Sequence, residues 1–285
     1  MLEKAFLVSA VPFVYLLPFS HKLIDKHKKT IIKIHMLLVL TLLFVYFTVR
    51  SLWCPNCKDL PKQINSRLTK EFTFKGCKLL CHYPTRKTRR RILLFPGLGI
   101  SVRRMLQEPC MEVFLEDSEI VCFQLRGLGE SDWNVDLSSK SMLDDSLNMM
   151  TVFESMTEKT LDTLFIGYSL GCFVSMQSLS HTDNMGIRCK NILLVNGMCS
   201  GARMVAHYKI FATLLGVNIK PYLKTSNVPI TILHAKNDNT IPITEAQELK
   251  QECDAIGRSC TVLTCDGDHS NYTIPKSTTS YLKLL

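Results

Sequence analysis

Residues 164–174 read "LFIGYSLGCFV": an apolar run, then Gly167, Ser169 and Gly171 at alternate positions, then further apolar residues. A β-rich run that stops at a glycine-flanked serine and resumes as a helical pattern predicts a strand, a sharp turn and a helix, with the serine held on the turn. Any side chain at 167 or 171 would collide with the neighbouring strand or helix, which accounts for both glycines. Chance also supplies so short a pattern, so its weight depends on the rest of the chain.

From residue 71 onward, short apolar runs alternate with longer helical patterns. "EFTF", "KLLCHY", "RILLFPG", "EIVCFQLRG", "TLFIG", "NILLVNG", "ITILHAK" and "CTVLTCDG" predict eight strands, and helical patterns fall at about 101–115, 141–157, 170–181, 243–256 and 274–284. Parallel neighbours need crossover connections, so strands separated by helices call for a mostly parallel sheet covered on both faces. The expected fold class is therefore α/β, an opening hairpin leading into a mostly parallel eight-stranded sheet flanked by helices. Ligands bind such sheets at the carboxyl ends of the strands, so the residues just after each strand carry the chemistry.

A serine nucleophile needs a base, and the base needs a carboxylate to orient it. Asp238 follows "ITILHAK" and His269 follows "CTVLTC", both at strand ends, and Ser169, Asp238, His269 is the chain order that goes with a serine on such a turn. Asp238 also has a plainer reading as the cap of the helix near 243, with Asp266 and Asp268 as competing acids, and His269 is one of eight histidines. An oxyanion hole requires backbone N–H donors. The Leu170 N–H is one, and the loop "LLFPGLG" offers the Leu98 N–H between Gly97 and Gly99. Cys172 is expected to be a core thiol rather than a second nucleophile.

Together these residues resemble an α/β-hydrolase over about 71–285. Beyond the "GYSLG" turn, "FQLRGLGESDW" (123–133) is similar to the family's D-x-R-G-x-G-x-S segment, with Gln124 in place of Asp and Leu128 in place of His. "PGLG" is similar to its H-G-x-G, with Pro96 in place of His. The resemblance implies a serine hydrolase working through an acyl-enzyme, with no metal or organic cofactor. It also implies a lid at 198–227, between the sixth and seventh strands, where Met198, Met204, Tyr208, Phe211, Leu214 and Leu215 suit an apolar substrate.

The net charge of +9 is unevenly placed: residues 1–75 hold 12 Lys/Arg against 4 Asp/Glu, and residues 76–285 hold 22 against 21. This near-neutral catalytic region argues against a nucleic-acid partner. The basic segment carries two apolar stretches, 5–19 and 31–49. The second is expected to span a membrane, and the first to be a second span or an interfacial helix. Five lysines against one aspartate in 20–33 then place the catalytic domain in a lumen or outside the cell, and the sequon Asn271-Tyr272-Thr273 permits this. Residues 51–70 form the linker. Cys54, Cys57, Cys77 and Cys81 approximate a zinc-ribbon spacing, but "EFTFKGCKLLCHYP" is expected to be a strand hairpin, and Cys54 and Cys57 suit a disulfide or acylation equally well. The run "RKTRRR" (86–91) is expected to be a solvated turn.

The expected function is a membrane-anchored serine hydrolase cleaving an ester or thioester of a lipid or long-chain acyl group. Two other readings accompany it: a catalytically silent fold used for binding or scaffolding at a membrane, suggested by Pro96, Gln124 and Leu128, and an acyltransferase using the same three residues.

Overall fold

The computed structural model describes residues 68–132, 138–201, 203, 204, 213 and 216–285. The apolar stretches 5–19 and 31–49, the linker as far as residue 67, Cys54, Cys57 and the lid residues Tyr208, Phe211, Leu214 and Leu215 lie outside them. Among the described residues, no helix is long and apolar enough to cross a membrane.

All eight expected strands are present: β1 (Thr69–Phe74), β2 (Cys77–His82), β3 (Arg90–Phe95), β4 (Ser118–Gln124), β5 (Thr163–Tyr168), β6 (Cys189–Val195), β7 (Ile230–Ala235) and β8 (Cys260–Gly267). A two-residue β9 (Tyr272–Thr273) adds a ninth, folding back antiparallel on the end of β8. The order across the sheet is β1-β2-β4-β3-β5-β6-β7-β8-β9, and β3 through β8 run parallel. The opening β1–β2 hairpin turns on Lys75 and Gly76, both at positive φ (48° and 85°), the backbone that a two-residue hairpin turn requires. Every residue of β5 and β7 is buried, as central parallel strands covered on both faces demand, and their near-continuous apolar runs follow from that.

Helices α1 (Val102–Met105), α2 (Ser139–Met156), α3 (Leu170–Leu179), α4 (Ile243–Ala255) and α5 (Lys276–Leu282) cover the sheet. The single helix expected at 101–115 is broken. The Ser101 hydroxyl accepts the Arg104 N–H and starts α1, but Glu108 is forced extended (φ −62°, ψ 141°) by the following proline, and only a short 3₁₀ turn, Pro109–Met111, follows. One core layer joins Leu80, Ile92, Leu94, Ile166 and Tyr168 to Val102, Met105, Phe114 and Leu282. Elsewhere in the core, the Phe95 ring packs on Phe123 and Phe165 with centroids 5.4 and 5.3 Å away.

The basic run at 86–91 is not uniformly solvated, because β3 begins inside it. Arg86 and Arg89 are exposed and pair with Glu116 and Asp117, whereas Arg91 is fully buried. Its guanidinium donates to Thr163 Oγ1 at 2.8 Å, lies 2.6 Å from Glu154 and sits 4.9 Å over the Phe153 ring. A buried charge needs partners of this kind, and they come from residues 62 or more positions away in the chain. Cys77 and Cys81 are buried in β2 as free thiols, and burial pushes them up to about 12 and about 11.

Candidate active site

Because β3 to β8 are parallel, the loops after β3, β5, β6, β7 and β8 emerge at one edge of the sheet. Ser169 follows β5 directly and adopts φ 53°, ψ −117°, a left-handed backbone that is strained for a residue with a side chain. Two hydrogen bonds hold it there: the Ser169 N–H donates to Val195 O (2.9 Å), and the Cys172 N–H donates to Ser169 O (3.0 Å). A Cβ at Gly167 would lie 2.6 Å from Gly171 O and from Ser175 Oγ, and one at Gly171 would lie 1.9 Å from Phe95 O. Only glycine lets the turn nest between β3 and α3.

His269, in the loop after β8, places Nε2 3.0 Å from Ser169 Oγ. Its Nδ1 lies 2.7 Å from Asp238 Oδ2. The Asp238 carboxylate is shielded from solvent, and its other oxygen accepts the N–H groups of Thr240 (2.9 Å) and Ile241 (2.8 Å). One oxygen thus fastens the loop before α4 and the other orients the histidine, which absorbs the capping reading of this residue. An ionised carboxylate only accepts, so Nδ1 carries the imidazole proton and Nε2 is left as an acceptor for the serine hydroxyl. The competing acids are engaged elsewhere: Asp266 pairs with Lys236 at the surface, and Asp268 accepts the N–H groups of Ser270 and Asn271. Cys172 is fully buried in α3, bonded to the carbonyls of Gly167 and Val195, and burial drives its thiol far up.

The loop carrying Leu98 is pressed against the serine turn, since a Cβ at Gly97 would lie 3.0 Å from Ser169 Cβ and 2.9 Å from the Tyr168 ring. Among the described residues, neither the Leu98 nor the Leu170 N–H donates to a loop or turn carbonyl. Gln124 anchors this loop from below. Its amide NH2 donates to Ile100 O (2.9 Å), its amide oxygen accepts the Glu130 N–H (2.9 Å), and its buried side chain packs where a Cβ on Gly129 would fall. A carboxylate could not donate to Ile100 O, so glutamine at this position ties two loops that an aspartate would not.

Several supporting residues carry no signal in the sequence. His234 is fully buried in β7; its Nε2–H donates to Ile241 O (2.8 Å), closing the loop that bears Asp238, and burial lowers its basicity so that it stays neutral. Glu245 is fully buried in α4, and its carboxylate accepts the backbone N–H groups of Cys199, Ser200, Gly201 and Arg203 at 2.8–3.3 Å. It pins the chain where the 198–227 insertion begins. Met198 is buried beside it and Met204 is half-buried.

Glu108 is only 2% exposed, with one carboxyl oxygen lacking a partner among the described residues and Arg104 no nearer than 3.5 Å. Burial raises its carboxyl above the ordinary value, against the opposing pull of Arg104 and Tyr272. A raised folded-state value means the folded chain holds this proton more tightly. The resulting stability is fully present below the unfolded carboxylate range and is lost as pH rises through the folded value. Glu108→Gln removes this dependence. Urea unfolding should find the variant gaining on wild type as the pH rises above the ordinary carboxylate range, and parallel pH profiles for the two proteins would contradict the burial argument.

No protein-family model and no curated protein matches the chain by sequence. Solved structures do. An esterase of Pyrococcus furiosus superposes with a TM-score of 0.56 at 17% identity, covering 75% of this chain and 88% of that one. The esterase Est1E of Butyrivibrio proteoclasticus, with ferulic acid bound, gives 0.58 at 14% identity over 75% of this chain and 96% of its own. The esterase RhEst1 of a Rhodococcus species gives 0.54 at 14% identity over 76% and 98%. At these identities the likeness speaks to architecture alone. With the parallel sheet, the serine turn after β5 and the strand-end aspartate and histidine, it establishes that this chain has the α/β-hydrolase fold.

Proposed function

We propose that the chain is a serine hydrolase that cleaves an ester or thioester of a lipid or long-chain acyl group through an acyl-serine intermediate, anchored at a membrane by its N-terminal apolar stretches. The observation that carries the reading is the unbroken line from Ser169 Oγ through both nitrogens of His269 to Asp238 Oδ2, with separations of 3.0 and 2.7 Å. Ser169 Oγ attacks the acyl carbon while His269 Nε2 takes its proton, and Asp238 stabilises the imidazolium that forms. The carbonyl oxygen becomes an oxyanion facing the N–H groups of Leu98 and Leu170. Collapse breaks the bond to the alcohol or thiol, which leaves with the proton from Nε2. Water then attacks the acyl-serine, giving its proton to His269, and the acid departs as Ser169 recovers the proton.

The Gln124 bonds support activity over a silent fold. A departure that would have suggested a weakened loop instead supplies one hydrogen bond to it and one to the loop after β4. The esterase neighbours support an ester substrate, and the apolar Met198 at the start of the insertion supports an apolar one. A panel of p-nitrophenyl esters and acyl thioesters of rising chain length tests this. Wild type should turn over the longer acyl chains fastest and Ser169→Ala none. Rates that decline steadily beyond the shortest chains would overturn the long-chain assignment, and equal turnover by Ser169→Ala would overturn the enzyme itself.

A further inference from the structure

The loop carrying His269 is exposed at Asp268, Ser270 and Asn271, and the histidine itself is partly open to solvent. Such a loop has little packing of its own to keep an imidazole within 3.0 Å of a serine. Two buried side chains from neighbouring strand ends meet the same atom of it. The Tyr168 hydroxyl donates to the main-chain carbonyl of His269 at 2.5 Å. The Asn196 Nδ2 donates to that carbonyl at 2.9 Å.

Neither residue is free to do otherwise. Tyr168 is the last residue of β5, buried in the core cluster that also holds Leu94, Ile166 and Ala235, with its ring centroid 5.6 Å from that of His269. Burial drives its phenol far up, so it remains a donor. Asn196 follows β6 at φ 47°, a left-handed backbone that asparagine tolerates better than other side chains, and it is fully buried. Its amide oxygen accepts the Ala235 N–H at 2.8 Å, which fixes the amide with its NH2 toward His269. The Asn196 N–H itself donates to Leu233 O at 2.9 Å. Through these bonds the ends of β5, β6 and β7, which carry or adjoin Ser169 and Asp238, are fastened to the catalytic loop after β8.

We propose that Tyr168 and Asn196 are positioning residues that clamp the His269 carbonyl and so hold the general base in register with Ser169 and Asp238. The proposal rests on the reading of Ser169 and His269 as nucleophile and base. Tyr168→Phe removes one donor and keeps the ring. Asn196→Asp keeps the shape, retains the bond to Ala235 and turns the other donor into an acceptor facing a carbonyl oxygen, which repels it.

The test uses the full-length chain, with turnover expressed per fluorophosphonate-titratable site so that loss of folded protein does not count. Each variant is expected to lower kcat about tenfold with KM unchanged, a magnitude in the range of misplaced catalytic groups. Amide hydrogen exchange across 268–271 should accelerate in the same variants. If kcat per site and exchange both match wild type in folded variants, the clamp is refuted. If wild type fails to react with the probe, the hydrolase reading falls. Exchange alone then decides, faster exchange in Tyr168→Phe upholding the clamp and unchanged exchange refuting it.

Discussion

Gly171→Ala is expected to reduce turnover by about 100- to 1000-fold, the loss that follows removal of one oxyanion donor. The added methyl carbon would lie 1.9 Å from Phe95 O, 2.6 Å from Phe95 C and 2.7 Å from Pro96 O. All three are backbone atoms at the end of β3, so no side chain can swing aside. Either the loop that carries Leu98 retreats or the turn that carries Ser169 does. In both cases the two N–H groups no longer converge on the place where the oxyanion forms, and overpacking costs about 1–3 kcal/mol of stability besides. Gly186→Ala is the control. Its φ of 69° is left-handed, but a Cβ there meets nothing within 4 Å, so it strains the backbone without moving the site. Rates on a p-nitrophenyl ester, corrected for folded fraction, separate the two. A Gly171→Ala protein that keeps wild-type turnover would mean the Leu98 loop contributes no donor.

Asp238→Asn should cost more, about 10,000-fold in kcat, with the fold intact. The Thr240 and Ile241 N–H groups both point at Oδ1, so an asparagine amide settles with its oxygen there and its NH2 in the place of Oδ2. An NH2 group facing Nδ1 reverses the polarity of that bond. The imidazole must then accept at Nδ1 and carry its proton on Nε2, the one position from which it cannot take the proton of Ser169. Asp266→Asn and Asp268→Asn, whose carboxylates serve Lys236 and the Ser270 and Asn271 amides, should stay near wild type. If Asp238→Asn retained a tenth or more of wild-type kcat, another group would be orienting His269.

What the sequence disclosed and what it hid divide along a physical line. Ser169, Asp238 and His269 were legible because each follows a strand whose apolar run announces itself, and parallel strands must end at one edge of a sheet. Tyr168 and Asn196 were not, although both stand inside quoted motifs, because they act on a main-chain atom 101 and 73 residues away. Arg91 misled because a run of like charges ordinarily stays in water. Here β3 starts one residue before it, and Glu154, Thr163 and the Phe153 ring wait in the interior. The helix expected at 101–115 failed at Pro109, a breaker visible in the sequence. The departure at Gln124 could be seen but not valued, since its worth lies in Ile100 and Glu130, residues with no side-chain signal of their own.

The central claim is that Ser169 is a nucleophile activated by His269. Its most direct test is reaction of the full-length chain with a fluorophosphonate, followed by peptide mass mapping. The geometry predicts one phosphonylated residue, Ser169, with labelling abolished in a folded Ser169→Ala protein. A folded wild-type chain left unlabelled, or a label on any other residue that persists in Ser169→Ala, would contradict it.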